Sequence, residues 1–190
     1  MTTEELTGCI TFIQQAEKLK DVLRCAHTSS GRHESTAEHT WRLCLMAMVF
    51  ERALEGVDFL KLLKICIIHD LGEAINGDIP AILQQPGQNK SAQERVDLIT
   101  LLAPLDERRR IEFLALWDEY ENASSPEALA VKGLDKIETI IQHNQGKNPP
   151  DFDYIFNLSY GRQYTSTHPL CAAVRQLIDE DTRRHAETSR

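Results

Sequence analysis

The chain has 190 residues, a length typical of one domain with a single sizeable core. Hydrophobic residues make up 42% of it and charged residues 26%, which excludes collagen-like, low-complexity and wholly disordered proteins. The formal net charge of −8 gives no general attraction to nucleic-acid phosphates or anionic lipid, so we expect neither a nucleic-acid polymer nor a membrane as partner.

The cysteines and the amino-terminal residues predict a cytoplasmic protein. Five cysteines are spread along the chain without a CxxC pair, which is typical of reduced thiols in an intracellular protein. The first twenty residues carry acids where a signal peptide has basic residues. The apolar run Leu43–Phe50 is far shorter than the roughly 20 residues that a membrane-spanning helix needs.

Helical periodicity recurs along the chain and no run alternates as a strand does, so the sequence predicts an all-α fold of about seven helices. The second helix should begin at a capping box formed by Ser35 and Glu38, and the third at the N-cap Asp58. The second helix should span Thr36–Leu54. The other predicted helices are Thr3–Val22, Ser91–Leu102, Asp106–Glu121, Pro126–Gln145 and Pro169–His185. The predicted breaks are Asn76-Gly77, Gln85-Pro86-Gly87, Ser124-Ser125-Pro126 and Asn148-Pro149-Pro150.

Ionisable residues gather where the apolar face of the third helix ends. His69 and Asp70 close that face, and Glu73 follows within one helical turn. His39 shares an inward face of the second helix, and Asp135 lies within an apolar stretch of a later helix. Imidazole and carboxylate groups together are good ligands for a divalent metal of intermediate hardness, whose charge would offset the burial of the carboxylates.

Each of these residues also has an ordinary structural interpretation. A single inward histidine is more often a hydrogen-bonded core residue than a ligand, and Asp135 by itself favours a structural role. The joint pattern on three helices favours a functional site.

The pattern also resembles a known family. The order His39, His69-Asp70, Asp135 is similar to the signature of the HD-domain metal-dependent phosphohydrolases. The longer strings that resemble the 5′-deoxynucleotidase branch are Arg24, Glu34-Ser35-Thr36-Ala37-Glu38-His39, Ile67-Ile68-His69-Asp70-Leu71-Gly72-Glu73 and Gly77-Asp78-Ile79-Pro80. The resemblance covers about residues 24–142 and implies an HD-domain helical bundle, which we expect to form one domain over residues 1–190 with a frayed tail at 181–190.

The resemblance implies a metal site. Its four ligands would be His39, His69, Asp70 and Asp135, binding one divalent transition metal such as Mn²⁺, Co²⁺, Fe²⁺, Ni²⁺ or Zn²⁺, among which ligand type does not choose. No histidine lies between His69 and His143, which favours one metal over two.

The resemblance also implies catalytic and substrate-binding roles. Glu73 would orient or deprotonate a metal-bound water that attacks phosphorus, and Arg24 would clamp the phosphate. Asp78 would contact the sugar hydroxyl or serve the leaving oxygen, although a role as turn former or N-cap is nearly as well supported. Some members of the branch place a tryptophan directly after the arginine, where it helps to exclude a ribose 2′-hydroxyl; this chain has Cys25 there, which leaves room for ribonucleotides.

We therefore predict a phosphohydrolase acting on a small phosphorylated substrate, most readily a nucleoside 5′-monophosphate. The alternatives are a hydrolase of a nucleoside triphosphate or other phosphate ester, a metal-binding regulatory module without turnover, and a purely structural helical protein. A homodimer is compatible with the fold. For the aromatic segment from Phe152 to Tyr164, a packed loop or a dimer contact is favoured over a lid that stacks on a base.

Overall fold

The computed structural model describes residues 1–80, 82 and 90–188, and within them it is an assembly of α-helices with one small antiparallel sheet. The helices are α1 (Thr3–Ala16), α2 (Thr36–Phe50), α3 (Phe59–Ile68), α4 (Glu73–Asn76), α5 (Lys90–Leu102), α6 (Glu107–Glu121), α7 (Pro126–Gln145), α8 (Tyr154–Ser159), α9 (Arg162–Thr165) and α10 (Pro169–Thr188). The strands are β1 (Leu23–His27) and β2 (His33–Ser35), and two 3₁₀ turns span Glu17–Lys20 and Glu51–Ala53.

The all-α prediction is confirmed, and each of the seven predicted helices corresponds to one of the longer helices. The differences lie at helix ends, in the short helices α4, α8 and α9, and in the sheet; neither these short helices nor the sheet were predicted. Helix α1 stops at Ala16 rather than Val22 because a 3₁₀ turn and then β1 follow it. Strands β1 and β2 have five and three residues, too few to show an alternating pattern.

Local capping fixes where α2 and α3 begin, as predicted. Ser35 Oγ accepts a hydrogen bond from the backbone N–H of Glu38 at 3.3 Å, and the Glu38 carboxylate accepts one from the backbone N–H of Ser35 at 2.9 Å. At α3, Asp58 Oδ1 accepts from the N–H of Lys61 at 3.1 Å. These caps set the start of α2, which carries His39, and of α3, which His69 directly follows.

Helix α7 lies in the middle of the bundle. It is buried on nearly every face and packs against α2, α3, α6 and α10, although many of its buried side chains are polar or charged. The fully buried core residues around it include Leu43, Leu62, Ile65, Leu98, Leu102, Leu134 and Ile137. Asp135 therefore projects from the centre of the bundle toward α2 and α3.

Strand β1 is held against the carboxyl end of α7. Gln142 Nε2 donates to the backbone oxygen of His27 at 2.6 Å, and the N–H of Lys147 donates to the oxygen of Thr28 at 3.0 Å. The approach needs glycine at residue 146, since a Cβ there would lie 2.2 Å from the His27 oxygen. This packing places Arg24, on β1, beside α7.

Two further predictions concern segments near the carboxyl terminus and the loop before α5. Residues 181–188, for which we predicted a frayed end, are helical in α10, and Thr182 and Ala186 are buried. The predicted break at Gln85–Gly87 lies outside the described residues. Among the described helices, none combines the length and the apolar character needed to cross a bilayer.

Candidate metal centre and active site

Three of the predicted metal ligands meet where α2 passes the end of α3. His39 lies on α2, His69 directly follows α3, and Asp70 comes next in the chain. Each offers one ligand atom, and the three atoms lie within 4.8 Å of one another. Both imidazoles are buried, so this is a cluster of polar groups inside the bundle and not a solvated surface patch.

The environment of His69 shows which ring nitrogen is available. Its Nδ1 lies 2.7 Å from the backbone oxygen of Cys66, which can only accept, so Nδ1 carries the hydrogen. The Nε2 lone pair then faces Asp70 Oδ2 at 3.0 Å. A lone pair and a carboxylate oxygen repel each other unless a cation lies between them.

His39 has the same arrangement. Its Nδ1 donates to the carboxylate of Glu138, and its Nε2 lies 3.2 Å from Asp135 Oδ1 and 3.8 Å from Asp70 Oδ2. Burial and the charge of Arg24 disfavour an imidazolium, but the carboxylates of Glu138 and Asp135 outweigh them and raise the pKa of His39 to about 10. The protein thus strongly favours a positive charge at Nε2.

Asp135 borders the cluster from α7. Its Oδ2 accepts from the hydroxyl of Tyr120 at 2.7 Å and from Lys136 Nζ at 2.8 Å, whereas Oδ1 faces His39. These two donors fix the carboxylate orientation with Oδ1 turned toward His39.

The donor set fits a divalent cation. Within the described residues, the buried Nε2 atoms of His39 and His69 have no hydrogen-bond partner. His39 Nε2 faces carboxylate oxygens of Asp70 and Asp135, and His69 Nε2 faces an oxygen of Asp70. Two imidazole nitrogens with two carboxylate oxygens suit Mn²⁺, Fe²⁺, Co²⁺, Ni²⁺ or Zn²⁺.

Glu73 lies next to this cluster, at the start of α4. It is 3% exposed, and its carboxylate accepts from Thr36 Oγ1 at 3.2 Å and from Lys90 Nζ at 3.3 Å. Burial, together with the negative charges of Asp70 and Asp78, raises the pKa of Glu73 to about 9. A divalent cation at the histidines would favour the ionised carboxylate and lower that pKa again.

Arg24 reaches the same place from β1. Its guanidinium lies 3.5 Å from Glu34 and 3.7 Å from Asp70, and Nη2 donates to Thr139 Oγ1 at 3.1 Å. Asp78 lies further out, 3.6 Å from Lys90 Nζ. Arg24, Glu73 and Asp78 all line one cavity together with the metal-ligand candidates His69, Asp70 and Asp135.

That cavity has a volume of about 800 Å³, well within the range of small-molecule sites. Lys90, Lys132 and Lys136 add positive charge to its wall. Four aromatic residues also line it, namely Phe152, Phe156, Tyr160 and Tyr164. Within the segment that we interpreted as a packed loop or dimer contact, these four rings face the cavity, whereas Tyr154 is buried and stacks on His185.

A family model described as HD domain matches residues 16–175, a range that contains every residue of the site. The chain belongs to the HD domain family. The resemblance seen in the sequence is therefore confirmed.

Other HD proteins resemble this chain over most of its length. The 5′-deoxynucleotidase HDDC2 of Danio rerio is 30% identical over 187 residues, 95% of this chain and 90% of that protein. The human 5′-deoxynucleotidase HDDC2 is 33% identical over 138 residues, 72% of this chain and 67% of that protein. A crystal structure described as that of a predicted metal-dependent phosphohydrolase from Magnetospirillum magnetotacticum MS-1 has a TM-score of 0.83 at 26% identity, covering 96% of this chain and 95% of that one.

The prediction of an enzyme is confirmed by these likenesses: this HD domain is a phosphohydrolase with a candidate cluster of metal ligands. Three of the residues that contact predicted ones, and that sequence reasoning missed, lie on other helices or one turn away. Lys90 contacts Glu73, Tyr120 contacts Asp135, and Glu138 contacts His39. Only Glu138 had a signal in the sequence, because it lies one turn after Asp135 and so shares its inward direction.

The buried His143 of this HD domain should make the free energy of unfolding depend on pH. Burial is the main cause that lowers the pKa of His143 to about 4, compared with about 6.5 in an unfolded chain. Its stabilising effect is therefore complete above pH 6.5 and is lost as the pH falls from 6.5 toward 4. We expect the free energy of unfolding to fall between pH 7 and pH 5 by about 2 kcal/mol more in the natural protein than in a His143→Gln variant.

Urea titrations of both proteins without metal at the two pH values measure this difference. Glutamine can still donate to Asn157 Oδ1, the partner of His143 Nδ1 at 3.0 Å. Equal losses in the two proteins would show that His143 titrates normally.

Proposed function

We propose that this HD domain hydrolyses a nucleoside 5′-monophosphate to a nucleoside and inorganic phosphate. The observation that carries the proposal is that His69 and Asp70 line one cavity together with Glu73 and Arg24, and that His39 completes the cluster of ligand atoms with His69 and Asp70. A ligand pair for a cation, a proton acceptor and an anion clamp are the parts that phosphate ester hydrolysis needs.

His39, His69, Asp70 and Asp135 would hold one divalent metal. Such an ion lowers the pKa of bound water and offsets charge on the phosphoryl oxygens when it is bound. The hydrogen bonds of Nδ1 in both histidines keep the Nε2 atoms free for this role.

Three other side chains activate the water, bind the phosphate and assist the leaving group. Glu73, buried beside the cluster, orients the attacking water and accepts its proton. Arg24 donates to the phosphate oxygens with its planar fork. Asp78, near the outer part of the cavity, contacts a sugar hydroxyl or assists the leaving 5′ oxygen as the P–O bond breaks and the oxygen of water bonds to phosphorus.

The rest of the cavity suits a nucleoside. Its volume of about 800 Å³ far exceeds what a phosphate group fills. The rings of Phe156 and Tyr160 stack with centroids 5.4 Å apart on the wall, and such faces pack well against a base. Cys25 lines the cavity next to Arg24, and its small side chain leaves space for a 2′-hydroxyl, so we propose that ribonucleotides are accepted beside deoxyribonucleotides.

The names of the similar proteins, 5′-deoxynucleotidases from Danio rerio and Homo sapiens, support a nucleotide as substrate. The proposal includes three further predictions from the sequence: one domain over residues 1–190, a cytoplasmic location and association into a homodimer.

Replacing Arg24 with lysine tests the phosphate clamp. Lysine keeps the charge but loses the fork that donates two parallel hydrogen bonds. We expect kcat/KM for the monophosphate to fall by about 10- to 100-fold, the loss of one or two charge-assisted hydrogen bonds, mainly through a higher KM. Arg95→Lys is the matched control, since Arg95 makes a two-bond pair with Asp118 on the surface; similar losses in both variants would contradict the assignment.

The experiment that tests the function is phosphate release by chelator-stripped protein resupplied with Mn²⁺, Co²⁺, Ni²⁺ or Zn²⁺. The substrates are ribo- and deoxyribonucleoside 5′-monophosphates, the corresponding triphosphates and a simple phosphate ester. Metal-dependent release from monophosphates supports the proposal, and the ratio of ribo to deoxy rates tests Cys25. If only triphosphates or only the simple ester were hydrolysed, that compound class would be the substrate instead of the monophosphates. Metal binding without any turnover would indicate a regulatory module.

A further inference from the structure

Glu138 is a buried carboxylate behind the cluster that has no part in the proposed reaction. It lies on α7, one turn after Asp135, and is 1% exposed. One carboxylate oxygen accepts from His39 Nδ1, and the other accepts from Arg42 Nε at 2.5 Å. The Arg42 guanidinium pairs with this carboxylate, which accepts from His39 and has no hydrogen to donate. The hydrogen therefore stays on Nδ1, and Nε2 is the nitrogen that His39 can offer to a metal.

The two histidines are oriented by partners of different strength. His69 Nδ1 donates to a neutral backbone oxygen of Cys66, whereas His39 Nδ1 donates to a charged side chain. A carboxylate partner raises the basicity of an imidazole and fixes its ring plane. Of the two histidines, His39 should therefore be the one whose basicity and orientation as a ligand depend more on a neighbouring side chain.

Glu138 could itself be considered a metal ligand, because Glu34, His39 and Glu138 also bring ligand atoms within 4.8 Å of one another. The contacts argue against it. Arg24 Nε lies 3.5 Å from Glu34, and Arg42 Nε lies 2.5 Å from Glu138, so each carboxylate already has a guanidinium partner. The nitrogen that His39 would offer to such an ion carries the hydrogen bonded to Glu138.

We propose that Glu138 is a positioning residue that holds His39 with Nε2 directed at the metal, and that Arg42 holds Glu138 in turn. This inference rests on the proposed role of His39 as a metal ligand. Two hydrogen bonds, from Arg42 to Glu138 and from His39 to Glu138, connect a partly exposed guanidinium on α2 to the metal-ligand cluster by way of α7.

The test measures metal affinity. Chelator-stripped protein is titrated with Mn²⁺ or Co²⁺ by calorimetry, and the visible absorption of the Co²⁺ form is recorded. We expect Glu138→Gln to weaken binding by about 10- to 100-fold and to change the Co²⁺ spectrum. Glu127→Gln is the matched control, because Glu127 is a buried, lysine-paired glutamate on the same helix whose partner Lys61 lies away from the cluster.

Two further variants distinguish a failure of the metal-ligand proposal from a failure of the positioning role of Glu138. Arg42→Met changes a partly exposed residue, and we expect it to weaken metal binding several-fold even where Glu138→Gln unfolds the protein. His39→Ala tests the site itself: if it binds metal as tightly as the natural protein, the metal-ligand proposal fails. If His39→Ala loses metal while Glu138→Gln and Arg42→Met bind like Glu127→Gln, only the positioning role of Glu138 is overturned.

Discussion

Replacing Glu73 with glutamine should lower kcat by about 10²- to 10⁴-fold, the range that a positioned general base contributes. Glutamine has nearly the same volume, and its amide oxygen can still accept from Thr36 Oγ1. It cannot take a proton from water. Because the groups that would bind metal are unchanged, metal affinity should stay within a few-fold of that of the natural protein.

Glu94→Gln is the matched control for this prediction. Glu94 also lines the cavity and pairs with the same lysine, Lys90, at 3.1 Å. It lies on α5, whereas Glu73 accepts from Thr36 on α2, the helix that carries His39. Steady-state rates of the two variants under saturating metal check the prediction. A Glu73→Gln enzyme that retains more than a tenth of the activity would remove Glu73 from the reaction.

The fold was predictable from local signals because most of it depends on them. The capping box at Ser35 and the N-cap at Asp58 are short-range hydrogen bonds, and both begin helices where the sequence indicated. The sheet was missed because β1 and β2 are stabilised by each other and by α7, through contacts such as Gln142 to His27. Such pairing leaves no periodicity in strands of five and three residues.

The site was predictable to a similar depth. His69, Asp70 and Glu73 could be grouped from helical spacing alone. His39 and Asp135 were added because each lies on the apolar face of another helix, but their assignment as ligands of the same metal needed the family resemblance. Glu138 shows the limit: its inward direction follows from periodicity, but its partner His39 is 99 residues away in the chain. Lys90 reaches Glu73 only because α5 packs against α4, and no spacing rule contains that contact.

Replacing Asp70 with asparagine should remove both metal binding and turnover. Asp70 Oδ2 lies 3.0 Å from His69 Nε2, 3.8 Å from His39 Nε2 and 3.7 Å from Arg24 Nη1, so it is the oxygen common to the cluster. Although burial acts in the opposite direction, the two imidazoles hold the pKa of Asp70 well below its usual range. An amide in its place offers a metal no negative charge.

Metal titration, thermal unfolding and phosphate release together check this prediction. The natural protein should bind about one metal per chain, and a metal concentration 100 times the dissociation constant should stabilise it by about 2.7 kcal/mol. Asp70→Asn should show neither the bound metal nor this stabilisation, and its phosphate release should fall to background. Asp97→Asn is the control, because Asp97 is a buried aspartate that accepts hydrogen bonds from Asn76 and Gln93 rather than facing a histidine. If Asp70→Asn kept the metal-dependent stabilisation, the ion would have to be bound elsewhere in the protein, and the reaction geometry derived from His39 and His69 would be wrong.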